Sequence, residues 1–461
     1  MKPIILDINN NSSDSLYIQL YNTIRNGILQ GDIKEGERLP SLRALAKDLN
    51  ISITTTQLAY NQLLVEGYIT SRPQSGYYVS EGLKLVHQDS QGNFSKEDIP
   101  ELYISEENPY ICDAECFDFV KWKKCAARVF NDYSDMLLFE SDPQGEAALR
   151  VEICKYVYSA RGVTCSPGQV VIGAGTQQIT NHLCRILSQM DINHVSLESP
   201  GYLPVQSSFS DKGFAISHVP VDRDGLDISR LPINISSAVY VSPSNQFPTG
   251  AVMPVGRRHQ LLEWAQANGS IIIEDDYDSE LRYFGKPVPA LRSLDKDNNV
   301  VYLGSFSSTL FPAVKISYMV LPEPMVNIFE KIKNHYTQTC SKAEQLTLAL
   351  FMEKGYYSTG IRKLRKLYSQ KLTMTLASFA KYNSGNVSPI DTRSGINLTI
   401  KIKTKKTAER LCSEAKSLGL QMIPLSELTD QDTTSLIFYY SKLPLNKIES
   451  LIKNLIELWE S

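Results

Sequence analysis

The chain has 461 residues, of which 42% are hydrophobic and 21% charged, so it can bury a large core and is neither disordered nor collagen-like. It carries 47 Lys and Arg against 50 Asp and Glu, a formal net charge of −3. Residues 1–80 contain seven basic and seven acidic side chains, so charge alone argues against nucleic-acid binding by either part of the chain.

The amino-terminal residues, MKPIILDINNNSSDS, lack the basic segment and long apolar run of a secretory signal. No stretch approaches the ~18 consecutive apolar residues that a membrane-spanning helix needs. The eight cysteines show no C-x-x-C spacing. We therefore expect reduced thiols, no metal site and a cytoplasmic location.

The first predicted elements are three short helices and a hairpin, all within the first 80 residues. Leu20, Ile24 and Ile28 recur every four residues, which predicts a helix with one buried face. The segments SLRALAKDLN and TTTQLAYNQLLVEG predict two more helices separated by a short break, and β-rich runs flank Pro73–Gly76. The pattern is typical of a helix-turn-helix with a wing, although a three-helix cap that binds no DNA fits it too.

The amino-terminal strings resemble the winged helix of the GntR family of regulators. The family's G-x-x-L-P-S-x-R-x-L-A motif, its recognition helix and its wing are matched in turn by GERLPSLRALAKDL, TTTQLAYNQLL and EGYITSRPQSGYYV. The resemblance implies that residues 1–80 bind DNA, with the recognition helix in the major groove and the wing alongside. The candidate DNA-binding residues are Arg38, Ser41, Arg43, Ser52, Thr54, Thr55, Thr56, Arg72 and Gly76.

The start of the recognition helix carries three threonines. We expect Thr54, Thr55 and Thr56 to be exposed at the start of this helix. Their hydroxyl groups and the free N–H groups of the helix terminus suit contacts to phosphate. Gly76 in the wing lets the backbone approach closely. Many relatives have an arginine where this chain has Ile53, so the operator sequence does not follow from the resemblance.

The sequence pattern changes after the segment that resembles a winged helix. Residues 81–116 are polar and without periodicity, which predicts a linker. From 117 to 461, apolar strands alternate with amphipathic helices, as in an α/β domain. The run VVIGAG (170–175) opens directly onto a helix, and such a glycine turn suits an anion.

The strings after residue 117 resemble fold-type I aminotransferases, and a winged helix joined to such a domain resembles the MocR-type regulators, a GntR subgroup. The motifs are VVIGAGTQQ, HVSLESPGY, AVYVSPSNQFPTG, SIIIEDDYDSELRY and NVVYLGSFSSTLFP. The resemblance implies an effector-binding and dimerisation domain over 117–461, with a smaller C-terminal α+β subdomain from about residue 330. It also implies pyridoxal phosphate as cofactor and a head-to-tail homodimer.

The candidate cofactor residues are carried over from those motifs. Gly175, Thr176 and Gln177 match the phosphate loop, and Ser305, Ser307 and Lys315 match positions around the phosphate. Asp275 matches the carboxylate that pairs with the pyridine nitrogen. Tyr202 matches the aromatic that stacks on the ring, Tyr277 the tyrosine near its hydroxyl, and Asn245 a position in the S-P-S-H-Q-F-P-T-G motif.

The family's central lysine, which forms a Schiff base with the cofactor, is missing. Relatives have G-[ST]-F-S-K-T-L-F-P and this chain has GSFSSTLFP, so Ser308 occupies the lysine position. Serine cannot form an imine. Pyridoxal phosphate would therefore bind non-covalently or as an external aldimine at most, unless binding has been lost.

Other departures accompany Ser308. Lys315 replaces an arginine and loses its bidentate fork, and Asn245 replaces a common histidine. No arginine follows Arg410, which leaves Arg393 as the candidate for binding a substrate carboxylate. Ser308 is either an engineered change or a natural divergence, and the accompanying departures favour divergence.

The sequence therefore predicts a DNA-binding transcriptional regulator whose aminotransferase-like domain senses pyridoxal phosphate or an amino-acid or vitamin-B6-related ligand. The alternative is a pyridoxal-phosphate-dependent aminotransferase with an accessory DNA-binding domain, which Ser308 disfavours. The neutral winged helix predicts weak non-specific DNA affinity. Recognition should then depend on two correctly spaced half-sites bound by a homodimer.

Overall fold

The computed structural model describes residues 15–82, 117–276, 278–283, 289–390, 395–425 and 432–460. The chain divides into two compact units, residues 1–105 and 106–461. The expected linker, 81–116, lies outside the described residues except for its first two positions. Across the described ranges, no helix has the length and apolar character needed to cross a membrane.

The amino-terminal unit consists of three helices and a hairpin. These are α1 (Leu16–Leu29), α2 (Leu42–Asp48), α3 (Ile53–Val65), β1 (Ile69–Arg72) and β2 (Gly76–Val79). The predicted buried stripe on α1 is confirmed, since Leu20, Ile24 and Ile28 are buried in one core with Leu63 of α3. Strands β1 and β2 pair antiparallel, as the predicted wing requires.

The second unit begins with a large α/β layer. Its elements are α4 (Phe119–Asp132), α5 (Ala147–Arg161), β3 (Val170–Ala174), α6 (Thr176–Gln189), β4 (His194–Ser199), α7 (Leu203–Asp211), β5 (Ala215–Asp222), β6 (Gly225–Leu226), β7 (Ala238–Val241), α8 (Val255–Asn268), β8 (Ile271–Asp275), β9 (Val300–Ser305), β10 (Ile316–Val320) and α9 (Glu323–Ile332). The strands form one sheet in the order β3-β10-β9-β8-β7-β4-β5-β6.

Strand direction in this sheet decides where a ligand site can form. Strands β4, β5, β7, β8 and β9 are parallel, and β10 is antiparallel to both of its neighbours, β3 and β9. The carboxyl ends of β3, β4, β7, β8 and β9 therefore meet at one edge, where α/β proteins bind ligands. The sheet is covered on both faces, because Ile172 packs in one core and Val171 in another.

The carboxy-terminal part forms a smaller α+β layer. Its elements are α10 (Lys342–Glu353), α11 (Tyr356–Tyr382), β11 (Val387–Ile390), β12 (Leu398–Lys403), α12 (Ala408–Ser417), β13 (Met422–Pro424), β14 (Thr433–Phe438) and α13 (Ile448–Glu460). The four strands form an antiparallel sheet in the order β11-β12-β14-β13. Its core, which includes Leu364, Ile400 and Trp459, is separate from the cores of the large sheet. The predicted α/β class with a smaller C-terminal subdomain is confirmed.

Candidate functional site

The turns before α2 and α3 are closed by serine caps. The Oγ atom of Ser52 accepts a 3.0 Å hydrogen bond from the backbone N–H of Thr55, and that of Ser41 accepts one of 3.2 Å from Ala44. Such caps orient the amino terminus of a helix and leave other N–H groups for a ligand. Ser52 and Thr54 are exposed and Thr55 is half-buried, so this end of α3 is open to a phosphate.

Thr56 is placed differently from the prediction. It is fully buried, and its hydroxyl donates a 3.4 Å hydrogen bond to the backbone carbonyl of Ser52. Helical periodicity turns position 56 to the same side as Tyr60 and Leu63, which are also buried. The expectation that Thr56 is exposed for DNA contact is therefore wrong.

Three candidate DNA-binding arginines lie in the amino-terminal unit, two of them at the hairpin. Arg38, Arg43 and Arg72 are all exposed. The guanidinium of Arg72 lies 4.5 Å from the ring centroid of Tyr78. Gly76 has φ = +113°, a conformation that favours glycine, and a Cβ atom there would lie 3.5 Å from Nε of Arg38. The wing thus presents two guanidinium groups beside its turn.

The large sheet brings the candidate phosphate-binding residues to one edge. Ser305 ends β9 and lies opposite Ser317 of β10, and Ile316 lies opposite Ala174 at the end of β3. Lys315 directly precedes Ile316, so its backbone lies beside the Gly175 turn.

Residues with three kinds of anion-binding group lie at this end of the sheet. Gly175, with φ = +85°, is the N-cap residue between β3 and α6, and it has no side chain to cap the first turn at Thr176. The side-chain hydroxyl of Ser305 accepts hydrogen bonds from the N–H of Ser307 (3.3 Å) and the hydroxyl of Ser317 (3.0 Å). Lys315 is exposed and supplies an ammonium. A helix terminus, a hydroxyl and a cation together suit a phosphate.

Two other candidates lie near this turn. Gln177 is exposed, and its amide donates a 3.4 Å hydrogen bond to the backbone carbonyl of Pro204. Ser308 is half-buried in the turn that follows β9.

The candidate ring-binding carboxylate, Asp275, accepts a hydrogen bond from a tyrosine that sequence reasoning missed. The Tyr240 hydroxyl donates a 2.6 Å hydrogen bond to Oδ2 of Asp275. Burial raises the pKa of Asp275 to about 6, the Tyr240 hydrogen bond opposes that rise, and the charge of Asp276 adds to it. A cationic pyridinium beside Asp275 would favour the ionised carboxylate.

The adjacent carboxylate, Asp276, has a structural partner instead. Its two oxygens accept hydrogen bonds of 2.8 and 2.9 Å from the guanidinium of Arg161, and Oδ2 also accepts bonds from Tyr302 (2.5 Å) and Ser279 (2.8 Å). Arg161 and Asp276 are both buried. Of the acidic pair, only Asp275 is therefore available to pair with a ligand.

A cavity of about 330 Å³ adjoins Asp275 through Tyr240, and Glu198, Tyr202 and Phe247 also line it. Tyr202 is 41% exposed and packs edge-to-face on Phe247, with ring centroids 6.4 Å apart. An exposed aromatic face at the cavity is consistent with stacking on a flat ligand ring.

Glu198, at the carboxyl end of β4, was not singled out from the sequence. It is buried, and burial raises its pKa to about 8. The Oε2 atom accepts hydrogen bonds from the N–H of Ser242 (3.3 Å) and the amide of Gln246 (3.4 Å). Within the described ranges, Oε1 has no hydrogen-bond partner. The one sequence signal for Glu198 is its position within HVSLES, because a carboxyl in a largely apolar strand is expected to be buried.

Three candidates remain, of which one is buried and two lie outside the described residues. Asn245 is buried in the loop after β7, and a Cβ atom built on Gly395 would lie 3.3 Å from its amide nitrogen. Tyr277 and Arg393 lie outside the described residues.

These residues fit the non-covalent part of a pyridoxal phosphate site. A partly solvated anion-binding end at Ser305 and Lys315 suits the phosphate, and the half-buried Asp275 suits the pyridine nitrogen. The covalent part does not fit, because position 308 carries a hydroxyl rather than an amine.

Comparison with known proteins identifies the family. Residues 16–79 match the bacterial regulatory proteins of the gntR family, and residues 108–429 match the class I and II aminotransferases. The uncharacterized HTH-type transcriptional regulator YdeL of Bacillus subtilis is 37% identical, over 89% of each chain. The probable rhizopine catabolism regulatory protein MocR of Rhizobium meliloti is 30% identical, over 89% of this chain and 86% of its own.

The chain belongs to the MocR-type transcriptional regulators of the GntR family. Among solved structures, the kynurenine aminotransferase of Pyrococcus horikoshii matches 80% of this regulator and 97% of its own chain, with a TM-score of 0.66 and 22% identity. At that identity the match shows the aminotransferase fold of the second unit. Its chemistry has to be argued from the residues of the site.

Proposed function

We propose that this MocR-type regulator binds operator DNA as a homodimer in the cytoplasm and uses its aminotransferase-like unit as a sensor. The sensed ligand is pyridoxal phosphate, or an amino-acid or vitamin-B6 compound related to it, held non-covalently and without transamination. One observation carries this proposal. The Tyr240–Asp275 pair and the anion-binding end around Ser305 share one sheet edge, whereas Ser308 stands where an aminotransferase has its lysine.

Each anchor has a defined task in this proposal. Asp275 holds the proton on the pyridine nitrogen, and Tyr202 covers the ring. Ser305, Lys315 and the amino terminus of α6 hold the phosphate. When bound, pyridoxal phosphate supplies an aldehyde that reacts with amines and a ring that withdraws electrons.

Regulation requires that the ligand favour one state of the protein. A ligand shifts an equilibrium only by its difference in affinity between two states. We propose that ligand binding in the second unit changes the spacing or orientation of the two winged helices in a homodimer. Because dimeric helix-turn-helix proteins bind half-sites at fixed spacing, such a change would alter operator affinity.

Equilibrium dialysis against pyridoxal phosphate, followed by borohydride treatment and mass measurement, tests the sensor. We expect saturable binding to the wild type with no retained mass adduct, and weaker binding to Asp275→Asn. Ser308→Lys should retain one reduced adduct per chain, whereas the matched variant Ser307→Lys should retain none. No binding to the wild type, or a borohydride-fixed adduct on it, would overturn this part.

A mobility-shift titration with the protein's own promoter region tests DNA binding. We expect a shift that weakens steeply with salt, since phosphate contacts release counterions. Arg43→Ala should weaken the shift, and Lys453→Ala, on the outer face of α13, should leave it unchanged. The absence of any salt-sensitive shift would contradict the proposal.

The second candidate, a working aminotransferase, is motivated by the same Asp275 and Ser305 anchors. Its test is turnover of amino acid and keto acid pairs by the protein as it stands. Because Ser308 provides no amine, we expect no turnover. Measurable transamination would replace the sensor function with an enzymatic one.

A further inference from the structure

The outward face of α3 carries no charge. Between Ile53 and Val65 the helix contains no Lys, Arg, Asp or Glu. Its exposed side chains are Ile53, Thr54, Gln57, Leu58, Asn61, Gln62 and Val65. A helix-turn-helix recognition helix contacts base edges with its outward side chains, so this uncharged set determines which bases α3 can select.

Two side-chain amides on this face are available to a ligand. Gln57 and Asn61 are four residues apart and therefore lie on one side of the helix. Within residues 15–82 neither amide has a hydrogen-bond partner, whereas the amide of Gln62 donates a 2.5 Å hydrogen bond to Glu66. A side-chain amide pairs in bidentate fashion with N6 and N7 of adenine in the major groove.

Two apolar side chains are exposed in the first two turns of α3. Ile53 is 50% exposed at the first turn of α3, and Leu58 is 48% exposed in the next. The 5-methyl group of thymine is the apolar group that the major groove presents. Guanine is most often contacted by Arg or Lys, and α3 has neither.

We propose that α3 selects A·T base pairs, with Gln57 and Asn61 binding adenine and with Ile53 and Leu58 contacting thymine methyl groups. This inference rests on the proposed binding of operator DNA and specifies the bases that the recognition helix prefers. Arg38, Arg43 and Arg72 lie outside α3, so any guanine contact they make is not a contact of the recognition helix.

Selection of binding sites from a random duplex library by the full-length protein tests the proposal. Comparison of the wild-type motif with those of Gln57→Ala and Asn61→Ala identifies the base pairs that α3 contacts. We expect each variant to lose a preference for adenine at one position. Affinity for the wild-type site should fall about tenfold, while sites with another base at that position should change little.

Two further variants sharpen the comparison. Gln62→Ala removes the same kind of amide from the same helix, but one that is already bonded to Glu66, and it should leave the motif unchanged. Ile53→Arg introduces a guanidinium on the first turn and should replace a thymine or adenine preference with guanine. Equal melting temperatures would show that all four variants are folded.

Three results would overturn the inference. The first is a G·C preference at the positions that respond to residues 57 and 61. The second is an equal loss of affinity for every sequence, because that would mean contacts to phosphate. The third is a library in which no sequence is enriched, which would overturn operator recognition itself, while the dialysis experiment would still report on the sensor.

Discussion

The hydroxyl of Tyr240 donates a 2.6 Å hydrogen bond to Oδ2 of Asp275 across the neighbouring strands β7 and β8. Both side chains are held by a rigid sheet, so this bond forms before any ligand arrives. It favours the ionised carboxylate and opposes the burial that raises the pKa of Asp275 to about 6. The Tyr240 hydrogen bond therefore extends to lower pH the range in which Asp275 is ionised.

The first prediction concerns the pH dependence of ligand binding. Affinity for pyridoxal phosphate should fall as the pH falls through about 6, because Asp275 then becomes protonated and loses its charge. Tyr240→Phe removes a hydrogen bond to a charged group, worth about 1.5–3 kcal/mol. The midpoint should move to higher pH, with roughly tenfold weaker binding near pH 7.

Fluorescence titrations between pH 5.5 and 8.5 measure this shift. Asp275→Asn is the control, because it removes the titrating carboxyl and reports the pH dependence of the ligand alone. If Tyr240→Phe and the wild type had the same midpoint, the hydrogen bond would have no role in ionisation.

A second prediction separates the phosphate anchor from the ring anchor. If the proposed phosphate site is correct, Lys315→Ala removes a cation beside the Gly175 turn, so affinity for pyridoxal phosphate should fall about tenfold, the scale of a charge-assisted hydrogen bond. Affinity for pyridoxal, which lacks the phosphate, should not change. Lys315→Arg keeps the charge and should preserve binding of both. Equal losses for the two ligands would place Lys315 away from the phosphate.

The amino-terminal unit was largely predictable from the sequence because its signals are local. The four-residue recurrence of Leu20, Ile24 and Ile28 predicted the buried face of α1, and the turn residues predicted the wing. Thr56 was wrongly predicted to be exposed, because the motif match gives its position along the chain but not the side of the helix on which it lies. A one-residue difference along a helix rotates a side chain by about 100°, which separates solvent from core.

The interactions around the candidate cofactor residues could not be predicted in this way. Arg161 and Asp276 are 115 positions apart, and Tyr240 and Asp275 are 35 apart. No periodicity or motif links such pairs, because they are neighbours only after the sheet and α5 have assembled. The sequence therefore indicated which residues were chemically suited to the site, but not which carboxylate of the Asp275–Asp276 pair is taken up by an internal partner.

A third prediction follows from the buried carboxyl of Glu198. Its pKa is raised from 4.5 to about 8 by burial, so the folded protein binds a proton that the unfolded chain releases above pH 4.5. Stability associated with Glu198 is therefore present at pH 4.5 and is lost as the pH rises towards 8. Glu198→Gln, which is neutral at every pH, should lose less stability than the wild type across this range.

Thermal unfolding measured between pH 5 and 8.5 tests this expectation. The wild type and Glu198→Gln should be similar at pH 5, and the variant should melt at the higher temperature at pH 8.5. Glu457→Gln, at an exposed position on α13, is the matched control and should follow the wild type. If the melting temperatures of Glu198→Gln and the wild type changed equally with pH, the prediction that the buried Glu198 is protonated in the folded protein would be wrong.

The final prediction concerns the ion pair of Arg161 and Asp276. Their side chains are 4% and 1% exposed, and removal of the guanidinium would leave a carboxylate buried without its counter-charge. Arg161→Met should therefore destabilise the second unit by about 3–5 kcal/mol, the usual cost of breaking a buried pair. The exposed pair of Lys453 and Glu457, 3.8 Å apart, provides the contrast, since Lys453→Met should cost less than about 1 kcal/mol.

Urea denaturation of the variants measures both effects, and the double variant Arg161→Met with Asp276→Asn identifies their cause. If the cost comes from an unpaired buried charge, neutralising Asp276 in the Arg161→Met background should recover part of the lost stability. If the double variant were no more stable than Arg161→Met, the cost would come from lost packing of the arginine. In that case Asp276 would carry no charge that needs compensation, and its hydrogen bonds from Tyr302 and Ser279 would suffice to hold it.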